Sequence, residues 1–369
     1  MKRAALTAEH EIVRVQLSER SYDIAIGAGI IDTAPPFFSA RAKISHAVLV
    51  TDDQVRPLYA DRIAAACAAS GMRTTLLSVP AGETSKSIAM ADQLWNQCLA
   101  EGADRKTVVI AVGGGVIGDL AGFIAATFAR GLSFFQVPTT LLAQVDSSVG
   151  GKVGVNLPTA KNMVGAFWQP QGVLIDVDVL ATLPEREYRA GMAEVVKYGV
   201  ILDPDFFAYL EANVASIQLR DRKVLTQVIA RCCQLKADVV QADERETTGL
   251  RAVLNYGHTF CHAFEATCGY GQLLHGEAVS IGMLCASRLA ESLGRISPDV
   301  TQRQRKLLSA LGLPTVPPQV DIDLVMTAMQ RDKKVEHGKL QFVLPTKLGM
   351  VELVGDVPVK LAKQAINDG

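Results

Sequence analysis

The stretch Val108 to Gly122, VVIAVGGGVIGDLAG, constrains the fold of this chain more than any other. Thr107 to Val112 is a run of mostly β-branched residues that ends in three glycines, Gly113 to Gly115, and continues as a helix pattern. An apolar run, a glycine turn and a helix start present free backbone N–H groups to a phosphate, because a turn without Cβ atoms lets a ligand come close. Gly113, Gly115 and Gly118 also fit the dinucleotide spacing G-x-G-x-x-G. A Rossmann site needs an acid about 20 residues on, at the end of the next strand. Here that strand, Phe134 to Val137, runs into Pro138, Thr139 and Thr140, and Asp119 sits on the new helix instead. The turn therefore binds a nucleotide in a non-Rossmann way, or it serves only tight strand–helix packing.

The flanking patterns extend the same logic. Ile12 to Leu17 and Tyr22 to Ile26 read as a hairpin. Strands are expected at His46 to Thr51, Thr74 to Val79, Ser133 to Val137 and Val173 to Ile175, with helices at Val55 to Ser70 and Ser87 to Ala100 between them. Such alternation predicts a mostly parallel sheet covered on both faces, with ligands outside the carboxyl ends of its strands. Those ends carry Asp52, Glu83 with Lys86, the triple glycine, and Thr139 with Thr140. After about Pro184 the pattern turns helical: Tyr188 to Val200, Arg222 to Glu244, Ala252 to Cys268, Glu277 to Leu293 and Pro298 to Leu311. A small hairpin (Leu340 to Leu344, Met350 to Val354) precedes a last helix. The expected organisation is an α/β domain over residues 1–184 and an all-α domain over 185–369.

Charge excludes some functions. Of 369 residues 20% are charged and the formal net charge is −1, so no basic surface for nucleic acid is expected. The N-terminus reaches acidic residues before an apolar segment could form, which argues against a signal peptide. Thr107 to Ala129 is apolar enough to suggest a membrane span, but its five glycines and Asp119 favour a buried strand plus helix. Cys67, Cys98, Cys232, Cys233, Cys261, Cys268 and Cys285 form no C-x-x-C pair, so reduced core thiols in a cytoplasmic protein are expected.

Three of the six histidines fall between Asn255 and His275. His258 and His262 are i, i+4 on one helix face, and His275 precedes the next helix. The cluster points to a metal or acid–base site. Thr259 excludes the H-E-x-x-H zincin pattern, and a catalytic zinc takes three protein ligands. Glu194, in the apolar segment GMAEVVKYG, is the best acid to complete the set, although Glu194 and Lys197 also have the i, i+3 spacing of a helix ion pair. Spacing leaves open which two histidines ligate. Gln144 to Lys161 is a polar, glycine-rich joining stretch, and Asp146, Lys152, Lys161 and the adjacent Asn162 lie where a loop is expected to cross from the sheet to the helical domain. Arg130, Lys197, Lys236 and Arg251 are cations in apolar surroundings. Together they suggest a cleft for a small, strongly anionic substrate.

GGGVIGDLAGF, QVPTTLLAQVDSSVGGKVGVNLPTAKNMVGAFWQP, GMAEVVKYG, KADVVQADERE, LRAVLNYGHTFCHAFE and LLHGEAVSIGM closely resemble the 3-dehydroquinate synthase family, from about Thr51 to Pro345. The family sits among the glycerol dehydrogenase-like, metal-dependent NAD enzymes, which accounts for the missing Rossmann acid. The resemblance implies conversion of 3-deoxy-D-arabino-heptulosonate 7-phosphate to 3-dehydroquinate and phosphate, with NAD and one divalent metal, usually zinc with cobalt as an alternative. In that chemistry a carbinol is transiently oxidised, phosphate is eliminated, the ketone is reduced again and the ring closes by an aldol step. It further implies Glu194, His258 and His275 as metal ligands and His262 as a proton relay. The implied NAD contacts are Asp52, Glu83, Lys86, Gly114, Gly115, Val116, Gly118, Asp119, Thr139, Thr140, Asp146, Lys152, Lys161 and Thr182. Lys152, Asn162, Lys197, Lys236, Arg251, Asn255 and one of Lys333 or Lys334 are the implied substrate contacts, with Arg130 supplied by the other subunit of a homodimer. Gln54 replaces a common Asn, and Thr247-Thr248 adds a residue that weakens the placement of Lys236. A cyclase for a sugar phosphate without a carboxylate, or a glycerol-type dehydrogenase, is the alternative. Arg251, Asn255 and His262 speak against the first, and Lys152, Asn162 and Lys197 against the second.

Overall fold

The computed structural model describes residues 10–269, 271–331, 335–336 and 339–367, so Lys333 and Lys334 lie outside the described residues. The chain divides into two compact units. The first holds the described residues up to Leu183 together with Arg222–Arg245, and the second holds Pro184–Asp221 and Glu246 onward.

In the first unit, β1 (His10–Val15) and β2 (Tyr22–Gly27) form the expected antiparallel hairpin. There follow α1 (Ala34–Ser39), β3 (His46–Asp52), α2 (Asp61–Ala69), β4 (Arg73–Val79), α3 (Ile88–Ala100), β5 (Thr107–Gly113), α4 (Gly115–Thr127), β6 (Ser133–Pro138), β7 (Lys152–Leu157), β8 (Ala160–Phe167) and β9 (Gly172–Asp176). Seven strands form one sheet in the order β1-β2-β9-β6-β5-β3-β4, and every pair but β1–β2 is parallel. All seven residues of β5 are buried, the reason its sequence is an unbroken apolar run. Val108, Ile110 and Val112 enter the core on one face with Phe38, Ile63 and Leu174. Val109 and Ala111 enter the other with Leu120, Ile124 and Phe134. Each fully buried Val or Ile contributes about 1.5–3 kcal/mol.

The strand order also locates a ligand site. From β3 the chain moves outward to β4, then returns to lay β5 on the opposite side of β3. The order reverses between β3 and β5, and open parallel sheets bind ligands outside the carboxyl ends at such a reversal. With β3 to β6 and β9 counted as strands one to five, the order is 2-1-3-4-5 rather than the Rossmann 3-2-1-4-5-6, consistent with the missing ribose acid.

The second unit holds α5 (Glu185–Ile201), α6 (Pro204–Ala212) and α7 (Val214–Gln218). After α8 (Arg222–Ala242) come α9 (His258–Cys268), α10 (His275–Ser292), α11 (Pro298–Ala310), α12 (Ile322–Arg331), two short strands β10 (Val335–Glu336) and β11 (Lys339–Leu340), the hairpin β12 (Phe342–Lys347) and β13 (Met350–Val354), and α13 (Val359–Asn367). No helix among the described residues is long and apolar enough to cross a membrane.

Three expectations are corrected. The boundary near 184 is not a single cut, because α8 packs with the first unit and buries Leu225, Val228, Ile229, Cys232 and Val240 there. The joining stretch is no simple loop, since Lys152–Leu157 pairs antiparallel with Ala160–Phe167. The helix expected over Ala252 to Cys268 is interrupted. Leu250–Asn255 is a 3-10 turn, and Gly257, at φ +79°, breaks the axis before α9 begins. A Cβ on Gly257 would lie 2.7 Å from the Met283 nitrogen, so both conformation and space demand glycine.

Candidate active site

In the first unit, the polar residues gather at the β3/β5 reversal. Gly114 caps α4 in an extended conformation with no side-chain cap, which leaves the first helical N–H groups facing outward. A Cβ on Gly114 would sit 2.9 Å from the Thr140 methyl, and one on Gly118 2.9 Å from Gln136 Oε1. The glycines thus serve close packing as well as an open helix end, and Val116 stands half-buried between them. The Thr139 N–H donates to the Gly113 carbonyl at 3.0 Å, while its buried hydroxyl has no hydrogen-bond partner among the described residues. Asp52 Oδ1 accepts from the Gln54 and Val55 N–H groups at 3.0 and 2.9 Å and shapes the turn after β3.

Lys86, almost fully buried, donates to Asp119 and to Asn162 Oδ1. Burial pushes the Asp119 carboxyl up and the Lys86 ammonium pulls it back. Asn156 joins this group, because its Nδ2 donates to Glu83 Oε1 at 2.7 Å and its Oδ1 accepts from the Asn162 N–H at 2.9 Å. Asn162 itself is left-handed, at φ +56°. Lys236 donates to the Asp146 carbonyl at 2.6 Å and its carboxylate at 2.7 Å, which ties α8 to the segment after β6. Thr182 meets the Tyr59 hydroxyl at 2.7 Å. Lys152 and Lys161 are exposed on the β7–β8 ribbon, and Arg130 is exposed on a strained turn with Ala129, Arg130 and Gly131 at φ +49°, +70° and +123°. An uncapped helix end, a glycine cradle, an unsatisfied hydroxyl and a buried Lys–Asp pair fit a nucleotide diphosphate.

In the second unit, three helices are brought together by glycine contacts. A Cβ on Gly276 would lie 1.8 Å from the Ala190 carbonyl oxygen, and one on Gly282 2.3 Å from that of Gly257. The backbones of α5 and α10, and of α9 and α10, therefore touch. Glu194 lies one turn beyond Ala190, His275 precedes Gly276, and His258 follows Gly257. The three side chains meet as a consequence: His258 Nε2 is 3.5 Å and His275 Nε2 3.7 Å from Glu194 Oε1, and the three ligand atoms lie within 4.8 Å of one another. A tetrahedral zinc with about 2.05 Å bonds has ligand–ligand edges of about 3.3 Å. His258 Nδ1 lies 3.1 Å from the Tyr256 carbonyl, which can only accept, so Nδ1 carries the hydrogen and Nε2 presents its lone pair to the cluster. Acceptor atoms facing one another in a buried place fit a cation. Burial opposes charge on His275, yet Cys261, Glu194 and Glu265 leave its pKa well above the ordinary imidazole value. A proton and a metal ion compete for that ring.

His262 is outside the triad, with its ring edge-on to His258 at 5.6 Å. Lys197 is buried and ion-paired with Glu194, the i, i+3 contact their spacing allows. Arg251 is buried with its Nε 3.3 Å from Glu246 Oε1, and Asn255 closes the same 3-10 turn. Sequence reasoning passed over Asn156, whose only local mark is its place in the glycine-rich stretch. It also passed over Cys261 and Glu265, although both lie on the His258 stripe of α9, at i+3 and i+7.

The fold is that of the sugar phosphate cyclases, with one cluster that fits a metal ion and another that fits a nucleotide. A solved 2-deoxy-scyllo-inosose synthase, complexed with carbaglucose-6-phosphate, NAD+ and Co2+, superposes with a TM-score of 0.89 at 27% identity, covering 97% of this chain and all of that one. A 2-epi-5-epi-valiolone synthase from Streptomyces hygroscopicus, with NAD+ and Zn2+ bound, has a TM-score of 0.86 at 28% identity and covers 100% and 99%. The family model for the 3-dehydroquinate synthase N-terminal part matches residues 76–190, and that for the C-terminal part matches residues 191–335. A 3-dehydroquinate synthase from Rhodopirellula baltica is 50% identical over 367 residues, 98% of each chain. The chain belongs to the 3-dehydroquinate synthase family.

Proposed function

We propose that this chain converts 3-deoxy-D-arabino-heptulosonate 7-phosphate to 3-dehydroquinate and phosphate, in the shikimate route to aromatic amino acids. The observation that carries this reading is the convergence of Glu194, His258 and His275 in a chain of this family. When bound, NAD supplies a reversible hydride acceptor and a divalent metal, zinc by this reading, supplies Lewis acidity at the substrate carbinol. Glu194, His258 and His275 hold the metal. Gly114, Gly115, Val116 and Gly118 cradle the pyrophosphate at the start of α4, and Asp52, Glu83, Lys86, Asp119, Thr139, Thr140, Asp146, Lys161 and Thr182 hold the rest of the nucleotide. Lys152, Asn162, Lys197 and Lys236 bind the substrate's anionic end, and His262 moves a proton. Arg251 and Asn255 read the carboxylate. A sugar phosphate without a carboxylate would leave the Arg251 fork without its planar, two-oxygen match, which favours the heptulosonate over the other cyclase substrates. By this reading the enzyme is a homodimer in which a second copy supplies Arg130. Its exposed, left-handed turn suits a side chain aimed away from its own unit.

The test is incubation with the heptulosonate phosphate, zinc and a catalytic amount of NAD. Phosphate should appear in amounts equal to the carbocycle formed, with no net NADH absorbance. Stoichiometric NADH, or glycerol oxidation without phosphate release, would mark the chain as a dehydrogenase instead. Arg251→Lys should lower kcat/KM by about 10–150-fold, the worth of one charge-assisted hydrogen bond of about 1.5–3 kcal/mol that an ammonium cannot form as a fork. An unchanged kcat/KM would remove Arg251 from the carboxylate site.

A further inference from the structure

On one stripe of α9, His258, Cys261 and Glu265 follow at i, i+3 and i+7, and α10 presents His275 to that stripe. The His275 ring is held at both nitrogens. Its Nε2 looks to Glu194, while its Nδ1 lies 3.3 Å from Glu265 Oε1 and 3.8 Å from Cys261 Sγ. The Cys261 thiol has its own acceptor, the His275 carbonyl at 3.9 Å, so the carboxylate is the nearer and stronger partner for the ring. We propose that Glu265 is a positioning residue, whose carboxylate accepts the Nδ1–H of His275 and so fixes the ring's tautomer and direction for metal binding through Nε2. A ligating histidine whose other nitrogen is bound to a carboxylate is more basic and already oriented. His258 is oriented by a neutral carbonyl and His275 by a carboxylate, so the two rings are unequal and His275 is the stronger donor.

This rests on the reading of Glu194, His258 and His275 as the metal site, and the same atoms allow a rival. Cys261, Glu265 and His275 place Sγ, a carboxylate oxygen and Nδ1 within 4.8 Å, which could hold a second ion across a shared imidazole. The experiment uses the full-length protein with zinc, cobalt and cadmium. Zinc affinity is measured by competition with a chromophoric chelator, stoichiometry by elemental analysis, and the His275 tautomer by 15N chemical shifts. Glu265→Leu should lower zinc affinity about 10–100-fold, change the cobalt d–d spectrum and release the His275 tautomer. Glu265→Gln, which keeps a neutral acceptor, should fall between it and the parent, and Cys261→Ser should stay within a few-fold of the parent. A purely structural role for Glu265 would alter melting temperature without moving the 15N shifts, and that outcome overturns the proposal. Two ions per chain, with a thiolate-to-cadmium absorbance lost in Cys261→Ser, overturn it in favour of the second site. If the parent binds no ion more tightly than His258→Ala does, the metal-site reading itself has failed.

Discussion

Glu194→Gln should lose its metal and a large part of its folding stability in one step. The carboxylate and the Lys197 ammonium are only 1% and 2% exposed. A neutral amide leaves that ammonium in the core with no charge to balance it, an arrangement that costs about 3–5 kcal/mol. Loss of one of three protein ligands takes a further roughly 3–4 kcal/mol from metal binding, about 10²–10³-fold in affinity. The two losses separate in a second variant. Glu194→Gln combined with Lys197→Met removes both charges and should regain most of the stability in urea unfolding of metal-free protein, while metal content and activity stay low. Full metal occupancy in Glu194→Gln would falsify the ligand assignment, and a single variant as stable as the parent would show that the ammonium finds another partner.

Gly276→Ala should be about as damaging, although it adds one methyl group and touches no ligand. Its Cβ would lie 1.8 Å from the Ala190 carbonyl oxygen and 2.5 Å from the carbonyl carbon. Backbone atoms cannot turn aside as a side chain can, so α5 and α10 must part. The cost should exceed the about 1–3 kcal/mol of ordinary overpacking, reaching roughly 4 kcal/mol. Because Glu194 and His275 ride on those two helices beside the contact, zinc affinity should fall with stability. Gly355→Ala is the control. The atoms nearest its Cβ belong to the Gln341 side chain, at 3.2 Å, which can move aside, and it should cost less than about 1 kcal/mol. Normal zinc affinity in Gly276→Ala would mean that the helix crossing does not set the ligand geometry.

What was legible in the sequence is what is locally encoded. The core strands are apolar runs ended by turn residues, and β5 with its glycine turn was placed to within a residue at each end. The β7–β8 ribbon was not seen because β8 alternates weakly on an exposed surface, and its glycines mark a close strand approach rather than a loop. The break at Gly257 depends on the Met283 backbone, which no local pattern announces. Likewise an amphipathic helix such as α8 declares an apolar face without saying which core will cover it. At the candidate metal site, spacing brought three histidines under suspicion and resemblance chose two. Geometry groups His258 and His275 with Glu194 and leaves His262 one ring away. Glu265 was hidden because its partner lies on another helix.

The path of the chain has a consequence for synthesis. The polypeptide passes between the units at 183/184, at 221/222 and at 245/246, so α8 reaches the sheet it covers only after Pro184–Asp221 has been made. At about 5–20 residues per second, the stretch from 184 to 245 takes roughly 3–12 s to emerge. For that interval the nascent sheet has no cover for the surface that Val228, Cys232 and Val240 later bury, and Asp146 waits for Lys236. A nascent chain stalled before residue 245 should therefore be held by chaperones. A fragment cut at 184 should aggregate unless a peptide corresponding to α8 is supplied with it.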